Sequence, residues 1–520
     1  MGAALIQASP TDTHSPKHRA PYADSAALWL LAAGALLLVA DGRNTIALAA
    51  WLAPVCLLRF VRRQPAVRGL LTAYAVLVVT RGIAFRGMVP IPGVFYYIFA
   101  VISAVSALLP YVADRLLAAR LNGLAGTLIF PCTLVSAQFM YSHGPEGSWG
   151  TMAYTQAGNL TLLQLLSVTG IWGITFLIGW FAAVVNQALE RPRRLLPLGV
   201  FTAVYLSVVI GGAARLAFFP PSAASVRIAS LSPAQAPDQP GFGLFNAIVG
   251  GSPTSVQIDE FRRASSAVQQ DLLTRSAREA AAGAKIVFWS ETAVHVLAGD
   301  EPQLLAQGRD LAARYQIYLG MALGTWRFPA PRPLENKLVL IDPNGQVVWQ
   351  FLKARPTPGP EAAAAVKSDG QLRWLDTPNG RIAGAICYDM DFPWLMMQAG
   401  GNRADIVLSP AGDWRAIDPR HTQMASFRAI EEGFNLARQT NMGLSAVYDY
   451  QGHQLSHMDQ YQASDLTMVA QIPTRGVPTL YSVLGDWLAW LNVGMLLALA
   501  LLARVRPSVI VPRSGAVLRS

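Results

Sequence analysis

Eight apolar stretches constrain the fold of this 520-residue chain more than any other feature of its sequence. A helix needs ~20 mostly apolar residues to cross the hydrocarbon core of a membrane, and most of the stretches approach that length. Charged residues form only 14% of the chain, against ~25% in soluble proteins. The predicted membrane spans are Ser25–Ala40, Thr45–Leu58, Gly69–Phe85, Val89–Ala113, Asn122–Tyr141, Leu160–Leu189, Leu195–Ala214 and Leu484–Ala503. The first two are short, so a re-entrant hairpin is an alternative for that pair.

The loops between these spans differ in charge, and the difference predicts their orientation. Three arginines stand on one side of the membrane: Arg43, Arg81 and Arg86. The other side collects Lys17, Arg19, Arg59, Arg62, Arg63, Arg68, Arg115, Arg120, Arg191, Arg193, Arg194, Arg504, Arg506, Arg513 and Arg519. Both termini are then cytoplasmic, with a disordered tail over residues 1–24 and a basic tail over 504–520. Because the net charge of +10 comes from these loop clusters, we expect no nucleic-acid partner.

Residues 225–475, between the seventh and eighth spans, have the pattern of an extramembrane α/β domain. Strands are predicted at Val226–Leu231, Lys285–Trp289, Arg381–Ile386 and Asp405–Leu408, and helices at Gln257–Ala282 and Thr422–Gly433. Leu338–Ile341 and Gln346–Trp349 flank an Asn-Gly turn, which predicts a hairpin. Strands and helices mixed in this order favour a layered α/β sandwich on the non-cytoplasmic side.

Three residues of this domain, each of which follows a predicted buried strand, form a set able to catalyse acyl transfer: Glu291, Lys353 and Cys387. A carboxylate can take the proton of a thiol, and a fixed ammonium can stabilise an oxyanion. Taken singly, they are more often a solvated acid, a surface charge and a buried thiol. The other two cysteines, Cys56 and Cys132, lie in apolar runs. No Cys/His spacing suggests a metal site, and we expect no cofactor.

The surroundings of these residues resemble the three signature motifs of the nitrilase, or carbon–nitrogen hydrolase, superfamily. The motifs are Phe288–Ala293 (FWSETA), Lys353–Glu361 (KARPTPGPE) and Ile386–Pro393 (ICYDMDFP). Asn336–Gly345, His421–Glu431 and Ala437–Ala446 are similar to flanking parts of that superfamily. Val168–Phe176 and Thr479–Trp487, with the span arrangement, are similar to its membrane branch, the apolipoprotein N-acyltransferases.

The resemblance implies a multi-span α-helical membrane domain plus an extramembrane α-β-β-α sandwich. It also implies an enzyme of the bacterial inner membrane, a monomer with its catalytic domain in the periplasm. The enzyme would move a fatty acyl group from a phospholipid, through a thioester on Cys387, to the terminal amine of a diacylglyceryl lipoprotein. Glu291 would be the base, and Lys353 with the Tyr388 N–H would bind the oxyanion. Glu361 would orient Lys353 with help from Asp389, while the expected substrate contacts are Trp149, Asn336 and Trp414.

Several departures from the family pattern bear on the substrate. Ser290 replaces a proline, Ala354–Pro360 form a Pro-rich stretch, and Ala411–Asp413 replace an Asn-Asp-Ala sequence. The alternatives are therefore a membrane-anchored amidase acting on a small amide and a non-catalytic protein that keeps the fold. For a lipid substrate, the cleft at Cys387 should open toward the bilayer, with the Gly147–Asn159 loop at its border.

Overall fold

The computed structural model describes residues 25–91, 93–121, 123–234 and 254–505. The predicted N-terminal tail lies outside the described residues, as does all but the start of the C-terminal one. Helices make up the first part of the chain and return at its end. They are α1 (Ala26–Ala40), α2 (Ala47–Arg63), α3 (Ala66–Ala84), α4 (Val94–Leu117), α5 (Leu124–Tyr141), α6 (Leu160–Leu163), α7 (Leu166–Thr169), α8 (Ile171–Glu190) and α9 (Leu196–Phe218).

Six helices of the described chain are long and apolar enough to cross a membrane, which makes this a multi-pass membrane protein. Five of them are α3, α4, α5, α8 and α9, and the sixth, near the C-terminus, is Trp487–Val505. The opening pair is shorter, with 15 residues in α1 and 17 in α2. Two crossings and a re-entrant hairpin both return the chain to the side from which it started. The basic segment before α3 therefore has the same predicted side in either case.

The predicted span Leu160–Leu189 is wrong as a single helix. The structure breaks it into α6, α7 and α8, with Gly170 between the last two at φ +60° and ψ −164°. That backbone conformation is open essentially only to glycine. A Cβ on Gly170 would also overlap the ring of Tyr481, which packs against the break. Hydropathy alone does not reveal the break, because every residue around it is apolar or small.

Replacing Gly170 with Ala should lower the thermal stability of the detergent-purified protein. The strained conformation alone costs ~1–3 kcal/mol for a residue with a side chain, and the overlap with Tyr481 adds to that cost. Gly199→Ala in α9 is the matched control, since a Cβ there has nothing within 4 Å. A thermal unfolding midpoint for Gly170→Ala equal to that of the control would contradict this account.

The predicted fourth span also begins too early. Its helix starts at Val94, and residues 85–91 form a non-helical connection between α3 and α4. Pro90 has no backbone N–H for a helical hydrogen bond, and Gly93 takes φ +60°. The apolar residues Met88 to Ile91 are thereby left outside both helices, where they border the cavity described below.

The α/β region consists of two sheets packed face to face. Its strands are β1 (Ser225–Leu231), β2 (Ile286–Trp289), β3 (Val294–Leu297), β4 (Tyr318–Trp326), β5 (Leu334–Ile341), β6 (Val347–Leu352), β7 (Arg373–Thr377), β8 (Gly380–Gly384), β9 (Ile406–Gly412), β10 (Asn435–Asn441), β11 (Leu444–Tyr448), β12 (Gln454–Asp459) and β13 (Thr467–Pro473). The first sheet has the order β13-β1-β2-β4-β5-β6, with β3 paired to β4. The second has the order β12-β11-β10-β9-β8-β7.

The remaining helices cover the sheets or connect them to the membrane part. They are α10 (Ser255–Ala281), α11 (Glu301–Tyr315), α12 (Pro360–Ala364), α13 (Pro393–Gly401), α14 (Arg420–Glu432), α15 (Leu480–Leu484) and α16 (Trp487–Val505). Strand β2 shows the layering, because Phe288 faces the core between the sheets while Val287 and Trp289 face the core under α10 and α11. The predicted α-β-β-α sandwich is confirmed.

The sheet topology places the ends of four strands near one another. In the first sheet β2 runs parallel to β4. Strand β6 runs in the same direction as β4, because β5 is antiparallel to both of them. In the second sheet β8, β9 and β10 are parallel. The residues that follow β2, β6, β8 and β9 therefore lie at one rim of the sandwich, where side chains from rigid strands can converge.

Candidate active site

Glu291, Lys353 and Glu361 form a buried network at this rim. Lys353 Nζ donates to Glu291 Oε1 at 2.7 Å and to both oxygens of Glu361, at 3.0 and 2.8 Å. Burial by itself would lower the pKa of Lys353, but the two carboxylates outweigh it and hold that pKa well above its usual value. The Lys353 side chain is only 2% exposed, so the ammonium is a fixed positive charge within the site.

Asn336 lies behind this network. It is not among the residues that line the cavity at Cys387, which is described below. Its Nδ2 donates to Glu291 Oε1 at 2.7 Å and to Glu361 Oε1 at 2.8 Å. The amide therefore holds the two carboxylates in place around Lys353. This position is typical of a residue that orients Glu291. The sequence had predicted a substrate contact for Asn336 instead.

Cys387 begins a 3-10 helix over Cys387–Asp391, with a left-handed φ of +47°. Its Sγ lies 3.5 Å from the carbonyl oxygen of Gly412, which accepts the thiol hydrogen. Glu291 also lies close to Gly412, since a Cβ on that glycine would lie 3.3 Å from Glu291 Oε2. Burial raises the pKa of the Cys387 thiol well above its usual value, and the Glu291 carboxylate raises it further. The resting thiol is therefore neutral and needs a base before it can attack.

Asp389 fixes the turn that carries Cys387. Its carboxylate accepts the N–H of Ile386 at 2.9 Å and the N–H of Arg355 at 2.7 Å. These bonds connect the Cys387 turn to the segment after Lys353. Burial raises the pKa of Asp389 to about 7, against the lowering effect of those N–H groups. Asp389 thus shapes the backbone around the thiol and does not touch it.

A cavity opens above Cys387, between the sandwich and the helical part of the chain. The helical part contributes an apolar wall from the α3–α4 connection, α4 and the segment after α5: Met88, Val89, Pro90, Ile91, Phe99, Pro145 and Trp149. Trp149 and Trp414, both expected to contact substrate, line it, as does Tyr388. Met152 and Tyr154 of the Gly147–Asn159 loop do not; Met152 instead lines a second cavity inside the helical bundle.

The walls of the cavity are joined by hydrogen bonds across the two parts of the protein. Ser148 donates its N–H and its hydroxyl to the carbonyl oxygen of Asp391, at 2.8 and 2.7 Å. Tyr388 Oη donates to the Pro145 carbonyl at 2.9 Å, and Trp414 Nε1 donates to the Gly87 carbonyl at 2.7 Å. The cavity is therefore built jointly by the helical bundle and the sandwich.

A second buried charge cluster adjoins Cys387, and sequence reasoning missed it. His421 Nδ1 lies 2.7 Å from Asp413 Oδ1, and Arg438 reaches the same carboxylate at 3.3 Å. His421 Nε2 lies 3.3 Å from Asp391 Oδ1. Burial would lower the pKa of His421, but Asp391 and Asp413 outweigh it and raise that pKa to about 9. Arg438 acts in the opposite direction, because its Nη2 lies 2.9 Å from His421 Nδ1 and lowers that pKa.

Cys387, Asp413 and His421 also place their ligand atoms within 4.8 Å of one another, a grouping that could hold a metal ion by distance. The sequence showed no such spacing, because the three come from different elements. In this structure the side chains of Asp413 and His421 are hydrogen-bonded to each other, and both contact the guanidinium of Arg438.

Comparison with known proteins identifies two families along the chain. Residues 247–477 match the carbon-nitrogen hydrolase family, and residues 33–184 match the apolipoprotein N-acyltransferase N-terminal domain. The apolipoprotein N-acyltransferase of Geobacter metallireducens is 25% identical over 87% of this chain and 87% of its own length. That of Rhodopseudomonas palustris is 25% identical over 72% of this chain and 73% of its own. Among solved structures, an amidase from Nesterenkonia sp. is 20% identical over 49% of this chain and 92% of its own, with a TM-score of 0.37.

Proposed function

Because the chain belongs to the apolipoprotein N-acyltransferase family of the nitrilase superfamily, and is thus an acyl-transfer enzyme, we propose that it acylates the terminal amine of diacylglyceryl lipoproteins. The donor would be a membrane phospholipid. The observation that carries the proposal is the buried thiol of Cys387, which stands beside the Glu291–Lys353 ion pair and opens into a cavity walled by apolar residues of the helical part.

In the first half-reaction, Glu291 takes the proton of Cys387, and the thiolate attacks the ester carbonyl of the phospholipid. Lys353 is already held as a cation by Glu291 and Glu361, so it can stabilise the oxyanion without rearrangement. The N–H of Tyr388 is available as a second donor, because the first N–H groups of a helix have no partner within it. The lysophospholipid alcohol leaves with a proton, and a thioester remains on Cys387.

In the second half-reaction, the amine of the acceptor attacks the thioester and Glu291 again serves as base. A thioester in contact with bulk water would be lost to hydrolysis, so the site must exclude water. Burial of Cys387, at 3% exposure, and the cover provided by Trp149 and Tyr388 meet that need. The apolar wall also suits acyl chains, whose transfer from water to an apolar site gains ~0.8 kcal/mol per CH₂.

The proposed location is the bacterial inner membrane, with the sandwich on the periplasmic side. This orientation follows from the basic residues of the loops, since Arg59, Arg63 and Arg68 flank the start of α3 and Arg191, Arg193 and Arg194 precede α9. The two substrates of the proposed reaction are confined to the membrane surface, which fits a site at the junction of bundle and sandwich. A monomer contains every residue of the proposed site.

Intact-mass spectrometry of the purified full-length protein tests this function directly. After incubation with a phospholipid, the protein should gain the mass of one acyl chain, and peptide mapping should place it on Cys387. Addition of a peptide with an S-diacylglyceryl N-terminal cysteine should remove the adduct and yield the N-acylated peptide. Absence of any adduct, together with hydrolysis of a small amide, would contradict the proposal and favour the amidase alternative.

A further inference from the structure

Asp391 is a buried carboxylate that the reaction outlined above does not use. Its side chain is 0% exposed to bulk solvent, and it lines the same cavity as Cys387. Within the described part of the chain, neither of its oxygens has a hydrogen-bond partner. His421 Nε2 approaches Oδ1 to 3.3 Å but is itself without a hydrogen-bond partner, so this contact is an ion pair with poor hydrogen-bonding geometry.

The backbone of Asp391 is held firmly, so the position of its side chain is defined by the fold. The two hydrogen bonds from Ser148 tie its carbonyl to the segment after α5. Gly147 lies so close that a Cβ there would come within 2.6 Å of that carbonyl oxygen. The carboxylate is therefore fixed at the wall of the cavity, with its Oδ1 3.3 Å from His421 Nε2.

Buried polar atoms without a hydrogen bond gather at this one place. Among the described residues they include both oxygens of Asp391, Asp413 Oδ2 and His421 Nε2, and of these Asp391 Oδ1 and His421 Nε2 face each other at 3.3 Å. A buried polar group left without a partner costs ~1–3 kcal/mol, and more when it is charged. The two Asp391 oxygens belong to a residue that lines the cavity, and a carboxylate oxygen accepts hydrogen bonds and cannot donate them. A ligand in the cavity with several N–H donors would satisfy them.

The charges around the cavity favour a cationic ligand. The charged residues in its lining are Glu146, Asp391 and His421, and the described lining contains no lysine or arginine. A phosphate would meet two carboxylates there. A primary ammonium, with its positive charge and three N–H donors, is complementary to the same surface.

We propose that Asp391 binds the primary ammonium of the acceptor and takes its first proton, an inference that rests on the proposed function. The ammonium must lose two protons to become an amide. Asp391 accepts the first, leaving a neutral amine, and releases this proton to solvent after the acylated product has left. As the C–N bond forms, Glu291 accepts the second proton; the C–S bond then breaks, and the Cys387 thiolate leaves with the electron pair and receives that proton.

Asp391→Asn separates this role from the first half-reaction. The variant should form the Cys387 thioester at the wild-type rate from phosphatidylglycerol and from phosphatidylethanolamine. Its transfer to an S-diacylglyceryl peptide should be ~100-fold slower, in the range expected when a general base is lost. Hydroxylamine, which is uncharged at neutral pH and needs no deprotonation before attack, should cleave the thioester equally fast in both proteins.

Asp376→Asn is the matched control, because it makes the same chemical change on an exposed side chain of β7 and should leave both steps unchanged. Unchanged transfer to the peptide would overturn the proposal, as would slower cleavage by hydroxylamine, which would indicate general damage to the site. Slower loading from phosphatidylethanolamine alone would assign Asp391 to the donor headgroup and overturn it too. If wild-type protein formed no thioester, the proposed function would fail, and the role of Asp391 in it would fall with it.

Discussion

Replacing Cys387 with Ala is expected to abolish acyl transfer and to prevent any acyl adduct from forming. The loss should be on the order of 10⁴-fold or more, as for removal of the nucleophile from other covalent enzymes. No other thiol can substitute, because the sequence has only two more cysteines, Cys56 in α2 and Cys132 in α5, both buried in the helical bundle. Intact-mass spectrometry after incubation with phospholipid, together with an assay of the N-acylated peptide, would measure both losses.

Cys132→Ala is the control for this variant, since it removes a buried thiol far along the chain from the site. It should keep both the adduct and the transferase activity. Cys387→Ser offers a more conservative change that can keep the hydrogen bond to the Gly412 carbonyl while supplying a much weaker nucleophile. An acyl adduct on the Cys387→Ala protein at the wild-type yield would show that another residue carries the acyl group.

Much of the sandwich could be predicted from the sequence because its signals are local. The segment Lys285–Trp289 is a short apolar run before Glu291, and the structure has a fully buried strand at Ile286–Trp289. The Asn-Gly turn predicted the pairing of β5 with β6, and Gly345 indeed takes a left-handed φ of +74°. Such residues determine their own local geometry, so no knowledge of the rest of the chain was needed.

The parts that could not be predicted depend on contacts between distant segments. His421, Asp413 and Arg438 meet because β9 and β10 are neighbouring parallel strands and α14 packs beside them. Nothing in the spacing of these residues specifies that neighbourhood. Asp391 was part of a recognised motif, yet its importance lies in what surrounds it, a cavity wall supplied in part by Trp149 and the α3–α4 connection. Hydropathy likewise placed Val89–Ile91 at the start of the fourth predicted span, although these residues form part of that wall.

Replacing Lys353 with Met should reduce activity and stability together. Loss of one oxyanion donor costs ~10²–10³-fold in rate, and removal of one partner from a buried ion pair costs ~3–5 kcal/mol. Without the ammonium, the buried Glu291 and the partly buried Glu361 would both face Asn336 with no cation between them. One of the two should then hold a proton in the folded protein, with its pKa raised above the unfolded value.

This change in protonation gives the Lys353→Met variant a distinctive pH dependence. A folded pKa raised above the unfolded value of ~4.3 contributes stability at low pH that is lost as pH rises. In the wild type the sign is opposite, because Lys353 outweighs burial and lowers the pKa of Glu361, so that stability is kept at neutral pH. The gap in unfolding midpoint between the two proteins should therefore widen from about pH 5 to about pH 8.

Lys337→Met distinguishes a catalytic loss from a structural one. Lys337 is as buried as Lys353 and pairs with Glu301 and Glu335, both at 2.8 Å, but it lies outside the cavity and the Cys387 site. Its replacement should destabilise the protein to a similar degree while activity per folded molecule stays near wild type. If both variants lost activity only in proportion to the unfolded fraction, Lys353 would have a structural role alone. If added phospholipid stabilised a Lys353→Met protein with a lowered unfolding midpoint, wild-type activity of that stabilised protein would point to the same conclusion. The oxyanion would then have to be held by backbone donors such as the Tyr388 N–H.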